Sequence, residues 1–268
     1  MQFFPVLINT TDSFEDCWFS FFKLFSIYWP EYNGIIYLNT ETKDFNFAGL
    51  NIIPIKNKLT GETWSKCLIS ALDFIKEDHI LYMQEDYFFN DFIKANLLNE
   101  FYDKFVKLNC DCLHLTDQST PGPFIQTNDD MIWEIDKNAL YRISCQAAFW
   151  KKDILISYLR KHETAWRFEH YGTKRSAKKN DKFYIVNTNI FGCGKKEIIP
   201  YVFTAIIKGK WNTEVKKLLI EHQIDIDYRK RGFYENSVIK NNILKKLKSQ
   251  KLSDIKSRIK SEWELIIK

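Results

Sequence analysis

No two of the six cysteines are spaced as Cys-x-x-Cys, and none forms a zinc-type pattern with histidine. Cys110 and Cys112 would share one face of a strand, which is too little to hold a metal. A disulfide framework is not needed either, since 268 residues can bury a substantial core. A reduced, cytosolic setting is therefore expected. No run of 18 apolar residues is present, so no membrane span is expected. The opening MQFFPVLINT has no basic segment ahead of its apolar run, so no signal peptide is expected. Glycine is scarce, and the stretch NTTDSF (9–14) contains none. A sugar nucleotidyltransferase would carry a glycine-rich, basic loop there. No Gly-x-Ser-x-Gly occurs and no cysteine has an obvious histidine partner, which leaves serine and cysteine hydrolases without support.

Aromatic residues, by contrast, are abundant at 16% of the chain. Rings in this number pack cores first and stack on sugar faces second. The net charge of +5 is confined to residues 235–268, and the remaining body is neutral. With no recognition motif in that body, nucleic acid is not an expected partner.

The apolar runs fall in a telling order. PVLIN (5–9) predicts a buried strand, with Asp12 or Ser13 capping a helix from Phe14 to Trp29 that Pro30 stops. GIIYLN (34–39) and NIIPI (51–55) predict two more strands, the second an edge strand because of Pro54. A helix capped at Ser65 and running to about Lys76 leads into the strand ILYM (80–83). Such alternation predicts a mainly parallel sheet, whose ligands bind beyond the carboxyl ends of the strands.

Further on, the pattern predicts a helix over 91–108 and a strand at CLHL (112–115), with His114 as a core histidine. It then gives an irregular loop to Asp130 and a hairpin pairing MIWEI with LYRIS. A helix over 151–161, strands at FYIV and IIPYVF, a KGKW turn (208–211) and a helix to about His222 follow. From Ser237 on, Leu244, Leu247, Leu252, Ile255, Ile259, Trp263 and Ile266 recur at three- and four-residue spacing, with lysines opposite. That spacing predicts an amphipathic helix or two. Docking against the body and attachment to an anionic membrane surface both stand as readings of it. The expected division is a body of 1–234 and a basic helical tail of 235–268.

The stretch ILYMQEDYFF (80–89) sets two adjacent carboxylates, Glu85 and Asp86, between apolar flanks. Buried carboxylates need a positive partner. Either the pair ends a strand at the surface, or it holds a cation.

Taken together, TDSFEDCWFSFFKLFSIYWP, WSKCLISALDFIKEDHILYMQEDYFF, AAFWKKDIL, ETAWRFEHYGTKRS and KGKW resemble a bacterial GT-A-type glycosyltransferase of surface polysaccharide (capsule or lipopolysaccharide) pathways. The resemblance covers most of residues 7–211. It implies a GT-A-like, Rossmann-type mixed sheet flanked by helices. It also implies transfer of a sugar from a nucleotide-sugar donor to a glycan or lipid-linked acceptor, in the cytoplasm or at the inner face of the membrane. Glu85 and Asp86 stand where such enzymes keep an Asp-x-Asp motif, although here the two acids have no spacer. Asp86 is the expected direct ligand of manganese or magnesium, with Glu85 beside it.

Thr10, Thr11 and Asp12 are placed to meet the nucleobase or ribose, and Ser65 and Lys66 the diphosphate. Lys174 and Arg175 would meet diphosphate oxygens as well. Glu169 is the expected catalytic base, with Glu163 in reserve, and an ion pair to Arg167, Lys174 or Arg175 is the competing reading of Glu169. Trp166 would stack on the acceptor, and Gln146 would contact it at the edge. The rival to an enzyme is a degenerate GT-A-like protein that binds carbohydrate or acts as a scaffold.

Overall fold

A computed structural model describes residues 4–235 and 252–267. Leu244 and Leu247 of the predicted tail helix lie outside the described residues. Among those described, nine strands form one mixed sheet: β1 (Val6–Asn9), β2 (Ile35–Asn39), β3 (Asn51–Pro54), β4 (His79–Gln84), β5 (Cys112–His114), β6 (Phe124–Gln126), β7 (Ile132–Ile135), β8 (Ala148–Lys151) and β9 (Phe183–Val186). Their order across the sheet is β3-β2-β1-β4-β8-β5-β9-β7-β6. β10 (Ile206–Ile207) and β11 (Lys210–Trp211) make a separate hairpin around the expected KGKW turn. The helices are α1 (Glu15–Tyr28), α2 (Trp64–Phe74), α3 (Ala95–Lys107), α4 (Lys152–Tyr158), α5 (Ala165–Ala177), α6 (Thr188–Phe191), α7 (Glu214–Glu221) and α8 (Leu252–Ile267). The fold is α/β, with helices flanking a mixed sheet.

Strands β3, β2, β1 and β4 run parallel, as the alternation of apolar runs requires. β1 is buried on both faces because helices cover both sides of a sheet of this kind. The aromatics are mainly core. α1 buries Trp18, Phe21, Phe22 and Phe25 on one face, and Phe4 meets Phe149 edge-on at 4.7 Å. α3 buries Leu98, Phe101, Tyr102 and Phe105, a helical stripe of period three and four.

Register decides where a site can lie. Asn9 of β1 stands opposite Asn39 of β2 and Gln84 of β4, so three polar residues end three adjacent strands together. A ladder of amides joins them: Asn57 donates to Asn39 (2.9 Å) and Asn39 to Asn9 (2.8 Å), while Asn9 donates to the Tyr82 hydroxyl at 3.4 Å. β8 runs antiparallel to β4, with Ala148 opposite Tyr82. The residues just before Ala148 therefore arrive beside the end of β4.

Several local expectations are corrected. Thr63, not Ser65, caps α2, accepting from the Lys66 amide at 3.3 Å. A short 3-10 turn, Asp12–Phe14, precedes α1. LYRIS is not a strand, and β7 pairs with β6 and β9 instead. The reason is Arg142, whose buried guanidinium donates to the carbonyls of Ile135, Ser176 and Asp181 and pulls its backbone out of an extended path. Tyr141 beside it takes a φ of 54°. IIPYVF is also not a regular strand, since Pro200 withholds a donor and only Tyr201 bridges Phe89. His114 is fully buried and held near the Arg142 carbonyl at 3.3 Å, and burial pushes its pKa down to about 4.

Candidate functional site

The acidic pair follows directly on β4, and both carboxylates are buried, with 6% and 8% of their surface exposed. Among the described residues, neither forms an ion pair. The nearby Arg231 is committed to Asp16 through two short bonds of 2.6 and 2.7 Å. Asp86 Oδ2 accepts from the Thr204 hydroxyl, whereas Oδ1 is buried with no hydrogen-bond partner. Glu85 sits beside Thr10, whose hydroxyl accepts from Trp18 Nε1 at 2.9 Å.

Burial pushes the Glu85 carboxyl far above the usual range, and the charge of Asp86 adds to it. Burial likewise lifts Asp86 to about 6, against the bond from Thr204. Two close carboxylates, raised in pKa and with an orphaned oxygen, are a deficit of positive charge.

A divalent cation fits that deficit if phosphate and water complete its shell, as magnesium and manganese permit. Among the described residues, no group of three His, Cys, Asp or Glu is placed to hold a metal alone.

Tyr87 leads from this corner to a second one. Its hydroxyl donates to the Cys145 carbonyl at 2.9 Å, and its ring stacks on Tyr201 at 4.9 Å. Tyr201 in turn donates to Gln146 Oε1 at 2.8 Å. The Cys145 amide donates to Glu169 Oε1 at 2.8 Å, and Ser144 lies 3.4 Å from the same oxygen.

Gly172 explains how α5 comes so near. A Cβ there would lie 3.1 Å from the Ile143 side chain, so glycine allows the helix to approach the 143–146 segment. Burial raises the Glu169 pKa, and the Cys145 and Ser144 hydrogen bonds only partly offset it. The competing reading, an ion pair from Glu169 to Arg167, Lys174 or Arg175, does not form among the described residues. Arg167 faces Asp254 at 3.4 Å and Lys174 faces Glu262 at 3.7 Å. Trp166, three residues before Glu169 on α5, is 77% exposed and available to a ligand.

The remaining candidates are drawn elsewhere. Glu163 is fully buried in a bidentate pair with Arg175 (2.8 and 2.7 Å), and Ser261 of α8 donates to it as well. Neither is open to a substrate, so the geometry removes Glu163 as reserve base and Arg175 as a diphosphate ligand. Ser65 is buried with its amide on the Glu163 carbonyl, and Lys66 pairs with Glu62 at 2.6 Å. Lys174 lies over the Tyr171 ring beside Glu262 of α8.

Asp12 is also occupied, accepting from the amides of Glu41 and Thr42 and from the Thr42 hydroxyl. Partial burial opposes its ionisation, but these bonds prevail and hold its pKa below the ordinary value. Thr11 shares a hydrogen bond with Ser13 at 2.7 Å. Asp12 thus fixes the loop after β2 to the loop after β1, and is a wall of the site instead of a free acceptor.

Three neighbours of the acidic pair went unread in the sequence: Thr204, Tyr201 and Arg231. The run Tyr228-Arg-Lys-Arg231, three adjacent cations in a body whose net charge is zero, was the one available signal. Arg231 also donates to the Ser13 carbonyl at 2.7 Å and stacks over Phe14 at 4.6 Å. It binds the segment after α7 across the loop that follows β1.

No protein-family model matches the chain, and no curated protein matches it in sequence. Solved structures similar to it include Staphylococcus aureus TarS residues 1–349 with UDP, at 12% identity and a TM-score of 0.41, over 69% of this chain and 60% of that one. An apo UDP-glucose pyrophosphorylase is similar at 6% identity and a TM-score of 0.42, over 69% of this chain and 90% of that one. The bifunctional IspDF of Campylobacter jejuni is similar at 15% identity and a TM-score of 0.33, over 76% and 47%. The chain thus spans about 60% of the TarS fragment's length. Similarity at this level assigns no family.

Proposed function

We propose that the chain is a nucleotide-sugar-dependent glycosyltransferase of GT-A type, with its donor site at the carboxyl ends of β1 and β4. The observation that carries this reading is the buried Glu85–Asp86 pair with its unpartnered Asp86 oxygen. A manganese or magnesium ion bound there would neutralise charge building on the leaving diphosphate. Asp86 would hold it directly and Glu85 would support it, while Thr204 fixes the orientation of the Asp86 carboxylate. Thr10 lines the same corner. The acceptor class, a glycan or lipid-linked glycan of surface polysaccharide synthesis, follows from the sequence resemblance.

Glu169 is the proposed base. Its Oε1 is anchored by the Cys145 amide, which leaves Oε2 to take a proton from an acceptor hydroxyl. Such a base implies inversion at the sugar carbon. Trp166, one turn before Glu169 on α5, and Gln146, next to Cys145, would meet the acceptor.

Calorimetric titration with UDP, GDP, CMP and dTDP, each with and without manganese, tests the donor site. Manganese-dependent binding of one nucleotide supports it. Binding of none of the four would reject it and favour the degenerate, carbohydrate-binding alternative.

Glu169→Gln is expected to lower transfer by about 10²- to 10⁴-fold and to leave nucleotide binding unchanged. In the parent enzyme the rate should rise with pH through a pKa above the ordinary glutamate value, because the base acts only when ionised. A rate in the variant still within tenfold of the parent's would remove Glu169 from the mechanism.

A further inference from the structure

Helix α8 docks through its serines and acids and shows water its apolar side. Ser257 and Ser261 are its buried residues, whereas Ile255, Ile259, Trp263, Ile266 and Ile267 are all exposed, Trp263 by 63%. At 100° per residue these five fall within one third of the helix circumference, with Lys256 between Trp263 and Ile267 and Lys260 just beyond Ile267.

The charges are sorted in the same way. Its three acids turn to the body: Asp254 to Arg167, Glu262 to Tyr171 and Lys174, and Glu264 to Arg160 at 2.6–2.8 Å. Among the described residues, Lys256, Arg258 and Lys260 have no ion-pair partner, and all three are exposed. Docking thus consumes the negative charge and leaves an apolar arc bordered by cations.

Beside Trp263 and Ile267 lies an open groove of about 440 Å³, whose other walls are Arg160, Lys161, His162, Lys260 and Glu264. Residues 236–251, which lead into α8, add five lysines and no acid to the sequence.

We propose that this face rests on an anionic lipid bilayer, with Ile259, Trp263 and Ile266 in the acyl boundary and Lys256, Lys260 and Lys161 at the phosphates. Apolar area and cationic attraction act together in such binding. The proposal is independent of the assigned reaction.

The test is flotation of the 268-residue chain with vesicles of phosphatidylcholine alone or mixed with phosphatidylglycerol. Binding is expected only to the mixed vesicles and should weaken with salt. The double variant Ile259→Ser, Trp263→Ser should weaken it by about tenfold or more. Both side chains are exposed, so an unchanged melting temperature would show that the variant is folded. Equal binding to both vesicle types, no vesicle binding, or an unaffected variant would overturn the proposal. A dimer in sedimentation that the double variant dissolves, without vesicle binding, would assign the face to a second copy instead.

Discussion

Asp86→Asn is expected to abolish manganese-dependent nucleotide binding while making the protein harder to unfold above about pH 6. The two effects have one cause. Burial raises the Asp86 pKa from an ordinary 3.8 to about 6, so the folded chain holds a proton that the unfolded chain has released across that window. Stability therefore falls as pH rises from about 4 to about 6, and above that the folded state carries the penalty of a buried charge that its hydrogen bonds only partly offset.

A shift of this size corresponds to about 3 kcal/mol, which an asparagine would remove while still accepting from Thr204. Thermal melts at pH 4, pH 5 and pH 8 check it: the gain should be full at pH 8, about half as large at pH 5 and small at pH 4. Adding manganese with a nucleoside diphosphate should stabilise the parent and not the variant. A variant that melts below the parent at pH 8 would show that the carboxylate is already compensated. It would also remove the argument for a cation there.

Arg175→Met should have the largest effect on stability. It strands the Glu163 carboxylate at a site with no exposed surface, leaving only the Ser261 hydroxyl as a side-chain partner. Breaking a buried pair in this way costs about 3–5 kcal/mol. For a domain of this size that is roughly 6–20 °C in melting temperature.

The loss should be lopsided, because replacing both partners with apolar groups, as in Glu163→Leu with Arg175→Met, leaves no stranded charge and should recover much of it. If Glu163 were instead a reacting base, Glu163→Gln would remove transfer and leave the melt unchanged. Calorimetric melts of the three variants separate the cases.

The half of the fold that carries the acidic pair was legible because its strands are short apolar runs with polar ends. PVLIN, GIIYLN and ILYM are buried on both faces, and burial on both faces writes itself into the sequence as an unbroken run. The acidic pair could be found for the same reason, since charges stand out against such runs.

The second half was harder to read. LYRIS alternates like a strand, but the buried guanidinium of Arg142 takes three carbonyls and sets the local path. That is a tertiary demand with no local signature. Glu169 was ranked ahead of Glu163 as base in the sequence, but that Glu163 is sealed off by Arg175 and α8 while the Cys145 amide anchors Glu169 is set by packing alone. The tail was read as amphipathic, but periodicity gives an apolar face without saying which face docks.

The bond from Arg231 to Asp16 has a consequence for how the chain comes to be assembled. Its two ends are 215 residues apart, and Arg231 reaches the loop that borders the acidic pair. Synthesis adds about 5–20 residues per second, so roughly 7–29 s separate Asp86 from Arg231. Over that interval a growing chain can pair its first four parallel strands, but Thr204 and Arg231 have yet to be made. A nascent chain shorter than about 231 residues would thus hold the two carboxylates without all the parts that frame them, and the proposed nucleotide site would be complete only as the last of the body leaves the ribosome.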